Sequence, residues 1–236
     1  MTLFNSVQNL FKRTARQAAP ARRLLLAAGL LLPLVALVPF ARGADEATPT
    51  AAVKAVVDTV LGILRKPDFS LAKDGATISA EIKRGFDDLA MAQSVLSTNW
   101  KNVDAAKQNE FKALLLKTIE TTYLGRITVY TNETVEFRGE EVKDNRATVR
   151  SVILSKNGEI PVAYKLRKRT DGWFIYDVEV ENVSMVNSYR DSYRAVYAKD
   201  GIDGLLSQMK AKIAQLEATP VSERPLDPAA AAAPAP

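Results

Sequence analysis

Three glutamates and two tyrosines are the residues of this sequence whose types suit acid–base chemistry. Glu136, Glu179 and Glu181 are candidate acids, and Tyr164 or Tyr176 is a candidate proton donor. A buried carboxylate beside a tyrosine can transfer a proton, as isomerases and dehydratases require. Glu136 and Glu179, however, fall on strand faces shared with other polar residues, which predicts that both face solvent. We therefore expect that the chain is not an enzyme.

Two residue types that carry much of protein chemistry are missing. The sequence contains no histidine and no cysteine. Their absence excludes Ser-His and Cys-His nucleophiles, and any zinc site built on imidazole or thiolate ligands. It also excludes disulfide bonds, so packing must stabilise the fold even in an oxidising compartment. We predict no metal and no cofactor.

The N-terminal segment, residues 1–43, has the pattern of a secretory signal peptide. Its first 23 residues are basic and lack acidic residues, residues 24–40 form an almost unbroken apolar run, and small residues precede a cut after Gly43. The run of 17 residues contains Pro33, so it is short for a membrane-spanning helix, which needs about 20. We predict cleavage, with a retained membrane anchor as the alternative.

Removal of that segment changes the charge of the chain. Residues 1–43 hold six of the 32 basic residues and none of the 27 acidic ones. The rest of the chain therefore has 26 basic and 27 acidic residues, and a net charge of −1. A nucleic-acid partner, which needs a basic surface, is therefore not expected.

We expect residues 44–50 to be a disordered lead, residues 51–218 to form one domain, and the Pro/Ala-rich residues 219–236 to be a disordered tail.

Apolar spacing predicts helices on both sides of a central segment. Apolar residues recur at intervals of three and four over 53–64, over about 77–96, and beyond a cap at Asp104. Ser184 is predicted to cap a further helix, which ends at Gly201 in a left-handed conformation, and a last helix follows.

The central segment changes to a period of two, which predicts an antiparallel meander and an α+β fold with helices on one sheet face. Its tight turns are predicted at Asn157-Gly158 and Asp171-Gly172, residue pairs that such turns favour. Propensity also allows a strand at 127–130, although the preceding helix can continue through it. The predicted strands lie near 133–142, 147–154, 160–169 and 173–181.

The last strand and the helices after it carry a recognisable order of residues. Trp173 is followed by Tyr176-Asp177, by Glu181-Asn182-Val183-Ser184, and, after a helix, by the Gly-Ile-Asp-Gly-Leu segment at 201–205. This order resembles the periplasmic MlaC family, also called the toluene-tolerance family, over about residues 77–215. Phe86-Asp87, Trp100, Phe111 and Tyr123 fall where that family has similar residues. Asn182 and Ser97 stand where the family pattern has glycine.

The resemblance implies a soluble, monomeric periplasmic carrier of Gram-negative bacteria, which maintains outer-membrane lipid asymmetry by moving phospholipid. The implied partners are the lipid-binding subunit of an inner-membrane ABC transporter and an outer-membrane lipoprotein or porin partner. The implied fold is a curved antiparallel sheet of about four strands clasped by N- and C-terminal helices, with acyl chains in an apolar cavity between the layers. The lipid-contacting residues that it implies are Phe111, Leu115, Ile119, Tyr123, Phe137, Val149, Ile153, Val162, Tyr164, Leu166, Tyr189 and Tyr193.

Other interpretations remain open at this point. Periodicity alone makes these apolar stripes packed core more often than ligand wall. The carrier's ligand can instead be a hopanoid, a sterol-like lipid or an organic solvent, and a small NTF2-like isomerase is a further alternative. The basic run Arg167–Arg169 is either a solvated strand edge or a contact for a transporter subunit or an anionic headgroup. Asp177 is expected to be structural.

Overall fold

The structure is a computed structural model that describes residues 48–127, 133–155 and 158–220, with the side chains of 125–127 left out. It has the predicted α+β architecture, in which helices precede and follow an antiparallel sheet. The helices are α1 (Pro49–Leu64), α2 (Leu71–Gly85), α3 (Asp88–Leu96), α4 (Ala105–Ile127) and α5 (Met185–Ala218), with a 3₁₀ helix at Ser97–Asn102. The strands are β1 (Thr134–Lys143), β2 (Arg146–Ser155), β3 (Gly158–Arg169), β4 (Gly172–Val180) and β5 (Val183–Ser184).

The sheet is a simple meander in the order β1-β2-β3-β4-β5, with every neighbouring pair antiparallel. Four long strands were expected, and a fifth of two residues is added at the edge of β4. Val149 of β2 lies opposite Tyr164 of β3, and Leu166 lies opposite Ile175 of β4. These residues share one face of the sheet, and they pack with Val53 of α1. Helix α1 therefore covers that face.

The turn between β4 and β5 explains one departure from the MlaC pattern. Glu181 and Asn182 have φ angles of 50° and 67°, as both central residues of a type I′ turn require. Asparagine tolerates this left-handed conformation better than most residues, so Asn182 can replace glycine there. Of the turn predicted at Asn157-Gly158, residue 157 lies outside the described part of the chain, while Gly158 begins β3.

The helix predicted over 77–96 is two helices in the structure. α2 ends at Gly85 and α3 starts at Asp88, because the residues between them are extended and pair with the sheet. Phe86 forms a parallel bridge with Ile175, and the Asp87 N–H donates to the Ile175 carbonyl oxygen at 2.8 Å. A tertiary contact with β4 therefore interrupts a pattern that is helical in sequence.

Several predicted helix ends are confirmed by side-chain caps. The Lys107 N–H donates to Asp104 at 3.0 Å, and the Asn187 N–H donates to the Ser184 hydroxyl at 3.1 Å. Gly201 interrupts α5 with a positive φ of 65°, but its ψ of −165° is extended rather than left-handed helical, and the helix resumes at once. Helix α4 runs to Ile127, so the proposed strand over 127–130 begins as helix, and the rest of it lies outside the described residues.

The start of α1 corrects the predicted boundary of the domain. Thr48 caps the helix and Pro49 and Thr50 are its first residues, although 44–50 were expected to be a disordered lead. The Thr50 N–H and hydroxyl both donate to the same carboxylate oxygen of Glu140 in β1, at 2.8 and 2.6 Å. A carboxylate at a helix N-terminus is favourable because it satisfies N–H groups that lack helical acceptors. These bonds tie the first turn of α1 to the sheet.

Within the described ranges, the apolar side chains form three clusters. The helical cluster joins α3, α4 and α5 around Phe111, Leu115 and Tyr189. The sheet cluster joins α1 to β2, β3 and β4 around Val53 and Val149. The third cluster joins α1 to α2 and packs against Leu124 of α4. Phe86 belongs to the periphery of both the helical and the sheet clusters, so it lies where they meet.

Candidate functional site

An apolar cavity of about 170 Å³ lies where the three clusters meet. Its walls come from α2, α3, α4, the first residue of α5 and the extended residue Phe86, and no residue of the five strands is among them. Most of the lining is apolar, as a site for hydrocarbon requires. The lining residues are Ser79, Ile82, Lys83, Phe86, Met91, Leu116, Ile119, Glu120, Tyr123, Leu124 and Met185.

The twelve predicted lipid contacts separate into two groups, and only Ile119 and Tyr123 line this cavity. The other predicted contacts of α4 and α5 belong to the helical cluster. The predicted contacts of the strands belong to the sheet cluster or lie beside it. The buried ones in the helices are Phe111, Leu115, Tyr189 and Tyr193. The ones in the sheet are Phe137, Val149, Tyr164 and Leu166 in the sheet cluster, with Val162 buried and Ile153 half-buried nearby.

Polar residues that the sequence analysis missed lie at one side of the cavity. The Ser79 hydroxyl donates to one oxygen of Glu120 at 2.7 Å, and the Lys83 ammonium donates to the other at 3.1 Å. Burial disfavours the charged carboxylate, but these two hydrogen bonds outweigh it and hold the pKa of Glu120 below its ordinary value. Glu120 is therefore charged at neutral pH. The only sequence signal for this cluster is the spacing of Ser79 and Lys83, which share one face of α2.

Buried hydroxyl groups lie inside both groups of predicted contacts. Tyr189 Oη in α5 and Ser151 Oγ in β2 are buried and form no hydrogen bond of good geometry within the described ranges, although the Tyr164 hydroxyl lies beside Ser151. Burial raises the pKa of Tyr189, and the neighbouring hydroxyls of Thr122 and Tyr123 offset this only in part. Buried polar groups normally have partners. Both hydroxyls can therefore form a hydrogen bond with a polar group of a ligand that reaches them.

An ion pair between the buried Asp87 and the half-buried Arg167 fastens the helical layer to the sheet. The Asp87 carboxylate accepts from Arg167 Nε and Nη2 at 3.1 and 2.7 Å, and from the Ala90 N–H at 2.8 Å. Asp87 is 1% exposed. It caps α3 while it binds β3, directly beside Phe86. The conspicuous Phe86-Asp87 pair thus serves as the connection between the layers.

The rest of the basic run is also engaged within the molecule. Lys168 Nζ lies 5.8 Å from the centre of the Trp173 ring, and the Arg169 guanidinium lies 4.3 Å from the centre of the Phe174 ring.

Asp177 was expected to be structural. It accepts hydrogen bonds from the Ser184 hydroxyl at 2.7 Å and from the Val186 N–H at 3.0 Å. It therefore holds the first turn of α5 against β4.

Two of the acids proposed for proton transfer, Glu136 and Glu179, form ion pairs, and Glu179 is separated from Tyr164 by the sheet. Glu136 pairs with Arg138 at 2.7 Å, and Glu179 pairs with Lys165. In the pairing of β3 with β4, Val178 lies opposite Tyr164 and Glu179 lies opposite Ala163. Because successive residues of a strand point to opposite faces, Glu179 and Tyr164 lie on opposite faces of the sheet.

Over the described ranges, no group of three acidic side chains is placed to hold a metal ion. No described helix is long and apolar enough to cross a bilayer.

The sequence profile described as MlaC protein matches residues 54–211, about two thirds of the chain. The chain belongs to the MlaC family. The Haemophilus influenzae protein named intermembrane phospholipid transport system binding protein MlaC is 28% identical over 127 residues, which are 51% of this chain and 59% of that protein. The match therefore spans less than two thirds of that relative's length.

The MlaC fold is also seen in a solved structure. The phospholipid-binding protein from Ralstonia solanacearum, solved in complex with a phospholipid, aligns with a TM-score of 0.68 and 24% identity. The alignment covers 72% of this chain and 99% of the other. It confirms the α+β fold that the resemblance to the MlaC family predicted.

Proposed function

We propose that the protein is a phospholipid carrier that binds acyl chains in the apolar cavity beside Phe86. The observation that supports this most strongly is the cavity itself, an apolar space at the junction of three packed clusters in a member of the MlaC family. Burial of hydrocarbon releases about 0.8 kcal/mol for each methylene. Ten methylenes therefore contribute about 8 kcal/mol without any specific polar contact.

The cavity must enlarge to take a whole lipid. Its volume of about 170 Å³ is below the range of about 300–1,000 Å³ that small-molecule pockets usually have. We infer that the structure represents a closed form. Because the helical and sheet clusters meet at Phe86, separation of these clusters would extend the cavity along their facing residues. The predicted contacts on both sides, Tyr189 and Val149 among them, would then line it.

Polar groups fit the less apolar parts of such a ligand. The buried hydroxyls of Tyr189 and Ser151 suit the ester oxygens that join acyl chains to glycerol. The Glu120 and Lys83 pair, with its charges partly exposed at 26% and 51%, suits the position where the lipid leaves the apolar wall. The headgroup would then face solvent.

The transport cycle and location follow from family membership as part of the same proposal. Residues 1–43 act as the signal peptide for export to the periplasm, and the domain works there as a monomer. It carries phospholipid between an outer-membrane lipoprotein or porin partner and the lipid-binding subunit of an inner-membrane ABC transporter. A carrier for a hopanoid, a sterol-like lipid or an organic solvent is the alternative, and the chemical identity of the bound ligand separates the two.

Native mass spectrometry of the protein purified without detergent tests the proposal. We expect an added mass that extracts as phospholipid. Ile119→Trp fills the cavity. We expect the affinity for lipid to fall by about tenfold, which corresponds to a loss of about 1.4 kcal/mol in binding free energy. Leu89→Trp is the matched control, because Leu89 is 42% exposed on α3 and does not line the cavity. A bare protein mass, with no lipid gained from liposomes, would exclude the carrier.

A further inference from the structure

A second cavity, of about 300 Å³, opens between the end of α3, the 3₁₀ helix and the middle of α5. It shares no lining residue with the apolar cavity. Its inner wall is apolar and belongs to the helical cluster, whereas the rest of its lining carries hydroxyl, amide and guanidinium groups. These polar lining residues are Ser97, Thr98, Asn99, Arg190, Arg194 and Tyr197.

Arg190 brings an uncompensated positive charge to this cavity. Its Nε donates to the Ser94 carbonyl oxygen at 2.7 Å, and its Nη1 donates to Asn187 Oδ1 at 3.0 Å. Both acceptors are neutral, and no carboxylate of the described residues forms an ion pair with it. The side chain is half-buried. A partly desolvated cation that is held in place by neutral acceptors is ready to bind an anion.

Arg194 lies one helical turn beyond Arg190 and can add a second positive charge. It forms an ion pair with Asp191 at 3.1 Å, in which the two side chains are 68% and 70% exposed. Exposed pairs of this kind contribute little stability. The guanidinium of Arg194 can therefore turn towards an anion in the cavity at small cost.

Ser97 adds a hydroxyl at a position where serine is unfavourable. Its φ of 54° and ψ of −129° form a conformation that suits glycine, and a side chain there costs about 1–3 kcal/mol. The Ser97 side chain lies in the wall of the arginine-lined cavity. A hydroxyl that donates to a bound anion accounts for a residue that the backbone disfavours.

We propose that this second cavity binds a phosphate-type oxyanion, with Arg190 and Arg194 supplying charge and Ser97 supplying a hydroxyl donor. The volume accommodates a free phosphate or the phosphodiester of a lipid headgroup. Because the two cavities have separate walls, this proposal does not depend on acyl-chain binding.

Isothermal titration calorimetry at constant ionic strength tests the site, with inorganic phosphate and glycerophosphoglycerol as the two probes. We expect saturable 1:1 binding of at least one probe. Arg190→Gln should weaken it by about 10- to 100-fold, since hydrogen bonds to charged groups are strong. Arg84→Gln is the control, because Arg84 is an exposed arginine of α2. Binding of the diester alone identifies a headgroup site, and binding of phosphate alone identifies a site for the free ion.

Ser97→Gly separates loss of binding from loss of folding. Relief of the backbone should raise the melting temperature by about 2–12 °C, while the affinity for the anion falls by about 3- to 10-fold. If the variant is more stable and yet binds the anion more weakly, misfolding cannot explain the loss of affinity. No saturable heat with either probe, or unchanged affinity in both variants, would overturn the proposal. The anion site and the apolar cavity share no lining residue, so failure of this test leaves the acyl-chain proposal intact.

Discussion

The Asp87 carboxylate combines two structural tasks in one side chain. It caps α3 through the Ala90 N–H and binds the Arg167 guanidinium of β3 through two hydrogen bonds. Both contacts are made at the extended junction between α2 and α3, which pairs with β4. A buried carboxylate of this kind is costly unless it is fully paired. Any opening between the helical and sheet clusters must therefore turn around this connection or break it.

Replacement of Asp87 tests this connection. Asp87→Ala should lower the free energy of unfolding by about 2–4 kcal/mol, because it removes a helix cap and leaves Arg167 without its carboxylate. Urea denaturation followed by circular dichroism measures the change. Asp58→Ala is the control, since Asp58 forms an exposed pair with Lys54, and it should change stability by less than about 0.5 kcal/mol. Equal effects of the two variants would show that the Asp87 pair does not fasten the layers.

Glu120 gives the stability of the protein a dependence on pH. The hydrogen bonds from Ser79 and Lys83 lower its pKa in the folded protein, so the charged form contributes stability above the ordinary pKa of a glutamate. This contribution is lost as the pH falls through the lowered value. Glu120→Gln should thus cost about 0.5–1.5 kcal/mol at pH 7, and the difference from wild type should shrink towards about pH 3. Denaturation midpoints at both pH values measure it, with the exposed Glu217→Gln as control. A difference that stays constant with pH would contradict this role.

At the scale of elements, sequence periodicity predicts the strands and most helix caps but not the break between α2 and α3. Asp104 and Ser184 cap helices because their side chains reach N–H groups a few residues ahead, a local effect that sequence reveals. Phe86 and Asp87 leave the helix because they pair with Ile175, almost ninety residues later. No local pattern contains that information. The same limit applies to Glu140, which reaches Thr50 across the fold.

Two glycines test the packing of α1 on α2. A Cβ at Gly85 would lie 2.3 Å from Val56 Cγ2 in α1, whereas a Cβ at Gly62 would meet no atom within 4 Å. Gly85→Ala should therefore destabilise the protein by about 1–3 kcal/mol through overpacking. Gly62→Ala should stabilise it by about 0.5–1 kcal/mol through helix propensity. Melting temperatures measure both, and shifts of the same sign would show that α1 and α2 are not in close contact.

At the scale of the whole molecule, the sequence predicts the family and the apolar positions but not which of them enclose space. Phe111 and Ile119 follow the same stripe of α4, yet the first is fully buried in the helical cluster and the second lines the cavity. Periodicity reports the direction in which a side chain points. Whether the opposite side holds protein or a cavity depends on how separate elements meet, here at Phe86.

Photo-crosslinking with a phospholipid that carries a diazirine in its acyl chain tests the carrier mechanism most directly. After irradiation of the loaded protein, peptide mass spectrometry locates the adducts. The proposed opening between the helical and sheet clusters predicts adducts on the cavity residues Met91, Ile119 and Tyr123, and on the sheet residues Val149 and Leu166 that the opening would expose. Adducts confined to exposed apolar residues such as Val180 and Val183 would instead indicate adsorption to the surface, and would contradict a carrier that encloses its lipid.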